Sequence, residues 1–298
     1  MKRRQQTRAG ASGERYSTER TGDTEVGSEQ ASLKTQAQQV LRWQSGSKPV
    51  YRADELAAEE PLEIQVDTRS VSVTMRTPGH DEELAAGFLL TEGLVKSRTD
   101  IARIALHPRN NEGNVINVFL SPKVTVDFAQ LTRHVFASSS CGLCGKATIE
   151  AVHRHFKPVK TKLAVKAKTL ASLPEQLRRS QETFERTGGL HAAAIFTAQG
   201  RLIVLREDVG RHNAVDKALG HGLLEGLLPF DRHILMVSGR ASFEIMQKAL
   251  AARIPVVAAV SAPSNLAARF GAESGQTLVG FLRGERMNVY SRAERVRF

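Results

Sequence analysis

Residues 201–283 read RLIVLREDVGRHNAVDKALGHGLLEGLLPFDRHILMVSGRASFEIMQKALAARIPVVAAVSAPSNLAARFGAESGQTLVGFLR. Short apolar runs (RLIVLRED, HILMVSG, PVVAAVSA, TLVGFLR) alternate with longer stretches of helical spacing (VGRHNAVDKALGHGLL, ASFEIMQKALAAR, SNLAARFGAES). A short continuous apolar run between turn residues fits a strand buried on both faces, and regular alternation with helices marks βα units. The expected fold class is therefore α/β, with a largely parallel central sheet.

Working upstream, AAAIFT and RLIVLRED pair as a hairpin through AQG. A helix is expected around LASLPEQLRRSQETF, with Pro174 in its first turn, where a missing N–H costs nothing. Further back, LEIQVD, VSVTMRT, IARIALHP and NVINVFL read as strands around a helix in TPGHDEELAAGFLLTEGLV, which Asp81 is placed to cap. The reading divides the chain into three: a disordered polar, basic tail over 1–47, a small α+β domain over 48–136, and the α/β domain over 137–298.

Composition narrows the function classes. The chain has 298 residues and a net charge of +11, which favours anionic partners without choosing among them. Aromatic residues make up only 5%, too few for a base-stacking surface. Two cysteines exclude a disulfide-rich scaffold. Apolar stretches such as IPVVAAVSA are too short to span a bilayer, and no apolar core follows the basic start MKRRQQTRAGASGERYS. The expectation is a cytoplasmic protein that binds neither membrane nor nucleic acid.

Four segments at strand ends carry unusual polar sequence: REDVGRHN, VSGRAS, VSAPSN and GFLRGER. In an open α/β sheet, ligands bind beyond the carboxyl ends of the strands. Arg211, Arg240, Arg283 and Arg286 supply forked donors for phosphate, and Gly210, Gly239 and Gly284 let backbone come close. Ser238, Ser242, Ser261 and Ser264 offer hydroxyls beside helix N-termini, which attract anions, although Ser242 and Ser264 also read simply as helix caps. Glu207 or Asp208 could bond a guanine edge or a ribose, Asp208 reading equally well as a cap. His191 and His212 could relay protons or be satisfied structural histidines. Glu244 and Lys248, four apart, read as a surface ion pair. Neither GxxxxGK[ST] nor GxGxxG occurs, so an ordinary nucleotide hydrolase or dehydrogenase is not expected.

Cys141 and Cys144 form a CxxC in the glycine-rich run SSSCGLCGK. A helix start near Lys146 would stabilise a thiolate there. Two inert cysteines, half of a zinc knuckle and a thioredoxin-like pair are the competing readings. The knuckle lacks a second CxxC, and the thioredoxin-like pair would sit after an early strand. A zinc deaminase needs H-x-E followed by P-C-x-x-C, whereas this chain has His191-Ala192-Ala193 after its cysteines. Sulfur transfer needs no metal, only one or two accessible thiols.

TPGHDEELAAGFLLTEGLV, SSSCGLCGK, TGGLHAAAIF, REDVGRHNAVDKALG, VSGRASFEIMQKA, VAAVSAPSNLA and TLVGFLRGERMNVY together resemble the FdhD family of sulfur carriers required for formate dehydrogenase activity. The resemblance runs from about Val50 to Val289. It implies a cytidine-deaminase-like fold for the second domain and commonly a homodimer. It implies a sulfurtransferase that takes persulfide sulfur from a cysteine desulfurase of the IscS type and passes it to the molybdenum cofactor. That cofactor, Mo-bis(molybdopterin guanine dinucleotide), is bound as substrate and is destined for formate dehydrogenase; no structural metal is implied. By correspondence the persulfide cysteine is Cys141 with Cys144 as companion, and the cofactor stretch is Phe281, Leu282, Arg283, Gly284, Glu285 and Arg286. Some members carry further cysteines before the CxxC; serines Ser138 to Ser140 stand here. A cofactor chaperone whose cysteines are incidental is the alternative, and a zinc-binding nucleic-acid module a third.

Overall fold

The computed structural model describes residues 34–106, 113–126, 128, 150, 152, 153 and 155–298. Cys141, Cys144 and the helix expected near Lys146 lie outside the described residues, as do residues 1–33 of the expected tail.

A six-stranded sheet forms the frame. Its strands are β8 (His191–Thr197), β9 (Leu202–Asp208), β10 (His233–Val237), β11 (Val256–Ala259), β12 (Thr277–Arg283) and β13 (Arg286–Ser291), in the order β13-β12-β11-β10-β8-β9. Only the β10–β11 and β11–β12 pairings are parallel. The largely parallel sheet expected from sequence is therefore a mixed one. The reason is local: β8–β9 and β12–β13 are connected by turns too short for a crossover, which forces antiparallel pairing. Even so, β9, β10, β11 and β12 all point the same way.

Period-two alternation sends the two faces of this sheet into different cores. Ile195, Leu235, Val237, Val257 and Leu278 pack on one side. There α4 (Arg211–Leu224), α5 (Phe243–Ala251) and α6 (Asn265–Ser274) cover the sheet. Phe196, Ile234, Met236, Val256 and Val279 pack on the other, under α2 (Ala167–Arg179). Leu170, Leu173 and Leu177, spaced three and four apart, are the buried face of α2. This helix begins earlier than expected, so Pro174 lies inside it, and α3 (Glu182–Thr187) follows as a separate short helix. The two-residue strands β7 (Val165–Lys166) and β14 (Val296–Arg297) pair beside it and tie the end of the chain down.

The first core also contains the second sheet: β4-β3-β6-β5, from β3 (Glu60–Val66), β4 (Arg69–Arg76), β5 (Ile101–Leu106) and β6 (Val115–Leu120). Between the sheets, α1 (Asp81–Thr91) crosses α4 at backbone contact. A Cβ on Gly87 would lie 1.9 Å from the Asp216 carbonyl oxygen, and one on Gly220 would lie 1.8 Å from that of Glu83. Only glycine permits so close a crossing. Burying Leu84 and Leu89 of α1 there stabilises the fold by roughly 1.5–3 kcal/mol each. Asp81 does not cap α1. His80 holds the cap position at φ 58, and Asp81 pairs with the buried Arg76 guanidinium at 3.0 Å.

A hairpin of β1 (Thr35–Arg42) and β2 (Val50–Ala57) completes the described fold. The tail expected over 1–47 thus gives way to regular structure from Thr35.

Candidate functional site

Because β9, β10, β11 and β12 run in one direction, the segments after Asp208, Val237, Ala259 and Arg283 meet one edge of the sheet. β8 starts at that edge, with His191 opposite Asp208. The four polar loops therefore share one rim. They do not form one pocket: β12 and β9 stand four strand spacings apart, roughly 19 Å.

At the β12 end lies a groove of about 1130 Å³ lined by Phe281, Arg283, Gly284, Glu285 and Arg286. Met287, Asn288, Phe298 and, across from the hairpin, Ala167, Lys168 and Ala171 complete it. Five of the six residues in the expected cofactor stretch line this groove. Leu282 does not: it is fully buried in the core under α2, and its place in the stretch is that of an anchor. The register shift between Gly280 and Arg283 explains the difference. Phe281 adopts φ 50, rare for a side chain of this size, while its N–H bonds the Ser261 carbonyl at 3.1 Å. The bulge turns Phe281 outward, leaving its ring 44% exposed. Arg283 Nε donates to the Val260 carbonyl at 3.2 Å, which holds its guanidinium at the loop just after β11. Lys168 and Phe298 were not legible as groove residues, because β7 and β14 bring them in from distant parts of the chain.

At the other end, Arg211 opens α4 with its Nε buried and unpartnered. His212 Nε2 lies 3.4 Å from Ser242 Oγ and 4.0 Å from Glu244. Burial and the neighbouring Arg211 and Lys248 charges depress the His212 pKa to about 4, so the ring is neutral near pH 7. His191 is also lowered, by burial and then by Arg211. The lowered pKa of Glu244, favoured by Ser242 and its own backbone N–H, keeps it ionised. Arg240 is exposed on the loop after β10. Neither Arg211 nor Arg240 lines the large groove.

Other polar candidates are spoken for by the fold. Asp208 is fully buried and accepts from Thr77 N, Gly210 N, Asn213 Nδ2 and Lys217 Nζ. Glu207 accepts from Thr183 N at 3.0 Å and Phe184 N at 2.8 Å, capping α3. Asp208 therefore presents no surface to a guanine or ribose, while the half-buried Glu207 is held by the start of α3. Ser238 accepts from Ala192 N, and Ser264 caps α6 through Ala267 N. Lys248 is not paired with Glu244. It is buried against Asp216 at 2.7 Å and Thr91 at 3.0 Å.

The described residues flanking the CxxC are well anchored. Before it, the Arg69 guanidinium stands 4.8 Å over the Phe128 ring. After it, Val152 is buried, and the His153 ring stacks on Phe270 at 5.4 Å. Phe270 in turn meets Phe243 edge-on at 5.1 Å. Phe243 directly follows Ser242, so the downstream flank sits beside the His212 end of the rim. Among the described residues no three His, Cys, Asp or Glu side chains gather as a metal would require. Among them too, no helix is long and apolar enough to cross a membrane.

Comparison with known proteins agrees with this geometry over most of the chain. The FdhD/NarQ family model matches residues 57–297. The sulfur carrier protein FdhD of Streptomyces coelicolor is 50% identical over 270 residues, covering 88% of this chain and 95% of that protein. The sulfur carrier protein FdhD of Mycobacterium tuberculosis is 49% identical over 270 residues, covering 87% and 98%. A crystal structure of a putative formate dehydrogenase accessory protein from Desulfotalea psychrophila superposes with a TM-score of 0.72 at 26% identity, covering 89% of this chain and all of that one. By the extent of that match and the level of identity, the chain belongs to the FdhD/NarQ family.

Proposed function

We propose that this protein is a sulfur carrier serving formate dehydrogenase, and that it works as a sulfurtransferase through a persulfide on Cys141. The thiolate of Cys141 attacks the terminal sulfur of a persulfide on a cysteine desulfurase. The new S–S bond forms at Cys141 as the donor's S–S bond breaks, and the donor cysteine leaves as a thiolate. No net oxidation occurs. Cys144 then attacks Sγ of the Cys141 persulfide, the outer sulfur leaves at the sulfide level for Mo-bis(molybdopterin guanine dinucleotide), a substrate held at the rim, and the thiol pair supplies the two electrons by closing to a Cys141–Cys144 disulfide. In this reading the six-stranded unit is a cytidine-deaminase-like frame that has lost deaminase chemistry, and the protein acts in the cytoplasm as a homodimer.

The sulfur-carrying part rests on the Cys141 and Cys144 pair and on relatives named sulfur carrier protein FdhD, and the observation that supports cofactor binding is the groove beside Phe281. It offers an exposed ring to a base and three cations, Lys168, Arg283 and Arg286, to phosphates. The groove, about 1130 Å³, is open along one side, so a long phosphorylated ligand can lie across it. A second reading, a chaperone that escorts the cofactor without carrying sulfur, draws on the same groove, since none of its lining residues belongs to the cysteine segment. Formate dehydrogenase activity in cells that express variants separates the two. The carrier reading expects loss with Cys141→Ala and also with the Arg283→Ala, Arg286→Ala double variant. Full activity with Cys141→Ala and loss with the arginine variant would leave the chaperone.

A further inference from the structure

We infer that the outer edge of β1 pairs antiparallel with β1 of a second copy of this chain, joining two hairpins into one four-stranded sheet. The inference rests on the two-copy part of the proposed function and is independent of its sulfur chemistry. An edge strand offers unpaired N–H and C=O groups, and proteins blunt it with bulges, charges or proline. The edges of the two larger sheets are β4, β5, β9 and β13, and each meets its neighbour through a register shift. Each also carries arginine: Arg69 and Arg76, Arg103, Arg206, and Arg286.

β1 has none of these devices in its interior. It keeps eight consecutive pairs with β2, from Thr35↔Ala57 to Arg42↔Val50, without a shift. Its sequence, TQAQQVLR, has no proline or glycine, and its one charge is at the end. That charge, Arg42, is turned toward Asp54 of its own hairpin at 3.8 Å. The opposite edge, β2, is defended by Arg52, Asp54 and Glu55 and is approached by α3. Among the described residues no strand pairs with the outer edge of β1.

The hairpin is also an arm. Its base is latched by Arg186, which reaches Thr35 Oγ1 at 3.2 Å and Glu55 at 2.5 Å. Thr35 and Trp43 are eight residue steps apart, an extended length of roughly 26 Å. The far half is apolar and uncovered: Leu41, Trp43 and Tyr51 are 56%, 65% and 74% exposed. A lone two-stranded hairpin is at best marginally stable in water, so an arm of this kind calls for more strands.

A second copy fits the edge without conflict. Under two-fold symmetry about an axis through the sheet at Gln39, Gln39 faces its own mate, Ala37 faces Leu41, Gln38 faces Val40 and Gln36 faces Arg42. No like charges oppose one another. Residues opposite each other share a face, so Leu41 and Tyr51 of one copy continue onto Ala37 of the next. The neutrality of the edge favours a copy of itself over a strongly charged partner.

The experiment is a charge swap on the full chain. Two double variants are made, Ala37→Lys with Gln39→Lys and Ala37→Glu with Gln39→Glu, both at exposed positions. Sedimentation equilibrium gives the dimer dissociation constant, and emission from Trp43, the only tryptophan, reports the same equilibrium on dilution. Circular dichroism checks that each variant is folded. The wild type is expected to be a dimer, each double variant to dimerise about tenfold more weakly or worse, and an equimolar mixture of the two to recover the dimer. Unchanged dimerisation of either variant, or no recovery on mixing, overturns the edge assignment while leaving the dimer standing. A wild type that stays monomeric, its edge covered by solvent or by its own chain, overturns both. Persulfide formation on Cys141 is measured separately and decides the sulfur chemistry alone.

Discussion

Lys217 Nζ lies 2.7 Å from Asp208 Oδ2, with both side chains buried at the root of the rim. Lys217 also donates to the Thr77 carbonyl at 2.7 Å, and Asp208 accepts from Thr77 N. The pair therefore ties β9 and α4 to the end of β4, and Gly210 N, bonded by Asp208 at 2.8 Å, fixes the start of α4 where Arg211 and His212 follow. Burial lowers the Lys217 pKa and the Asp208 charge opposes it. Removing one partner strands the other charge in the interior. Lys217→Met is expected to destabilise the protein by about 3–5 kcal/mol. Urea unfolding measures this; a change within error would mean that the pair is not the tie described.

The α1–α4 crossing gives a steric prediction. A Cβ at Gly87 or Gly220 meets helix backbone, which cannot move aside as a flexible side chain can. Gly87→Ala and Gly220→Ala should each cost about 3 kcal/mol. A thermal melt reads the loss, and an unchanged midpoint would show that the helices separate easily.

The depressed histidines predict an acid-sensitive fold. The pKa values of His80 and His212 fall from the ordinary 6.5 to about 4. Burial is the first cause for both. Around His80 stand Arg206, Glu83, Lys34 and Lys217; around His212 stand Arg211, Lys248, Glu244 and His191. Because the folded state holds the rings neutral, the unfolded state binds more protons below pH 6.5. The stabilisation is complete above pH 6.5 and is lost as pH falls toward 4. Allowing for solvent screening of these partly exposed rings, the loss is roughly 1–2 kcal/mol each. Urea midpoints at pH 7 and 4.5 should differ, and His80→Asn with His212→Gln should flatten the difference. A wild-type midpoint constant across that range would refute the assignment.

The groove predicts nucleotide binding that is separable from sulfur loading. With GDP as probe, Arg283→Ala and Arg286→Ala should each weaken binding about tenfold, the cost of a lost charge-assisted bond. Leu282→Ala should act on stability instead, since that side chain faces the core under α2. Calorimetric titration distinguishes them; equal GDP affinity across all three variants would remove the groove from the account.

Much of this architecture was legible in the sequence. ILMV (Ile234 to Val237) and VVAA are apolar without interruption, and both are buried on two faces. AQG between β8 and β9 is the hairpin turn that its spacing indicated. The direction of four strands, and with it the shared rim, followed from the strand–helix alternation. What escaped is long-range. Lys248 reads as a partner for Glu244 on one helix, yet it joins Asp216 of α4 and Thr91 of α1, a meeting that helical periodicity cannot reveal. Glu207 and Asp208 read as ligand contacts because their backbone partners, Thr183, Phe184 and Thr77, lie far away in sequence. Leu282 entered the binding stretch by family correspondence, and the bulge there leaves its side chain in the core. β1 hid in glutamine-rich sequence because its pairing partner supplies most of its order.

The central claim, that Cys141 carries sulfur, is tested most directly by intact mass. The protein is incubated with a cysteine desulfurase and cysteine, without reductant, alongside Cys141→Ala and Cys144→Ala. A gain of about 32 Da, one sulfur atom, is expected on the wild type and absent from Cys141→Ala. The same gain on Cys141→Ala, or none on the wild type, would contradict the account.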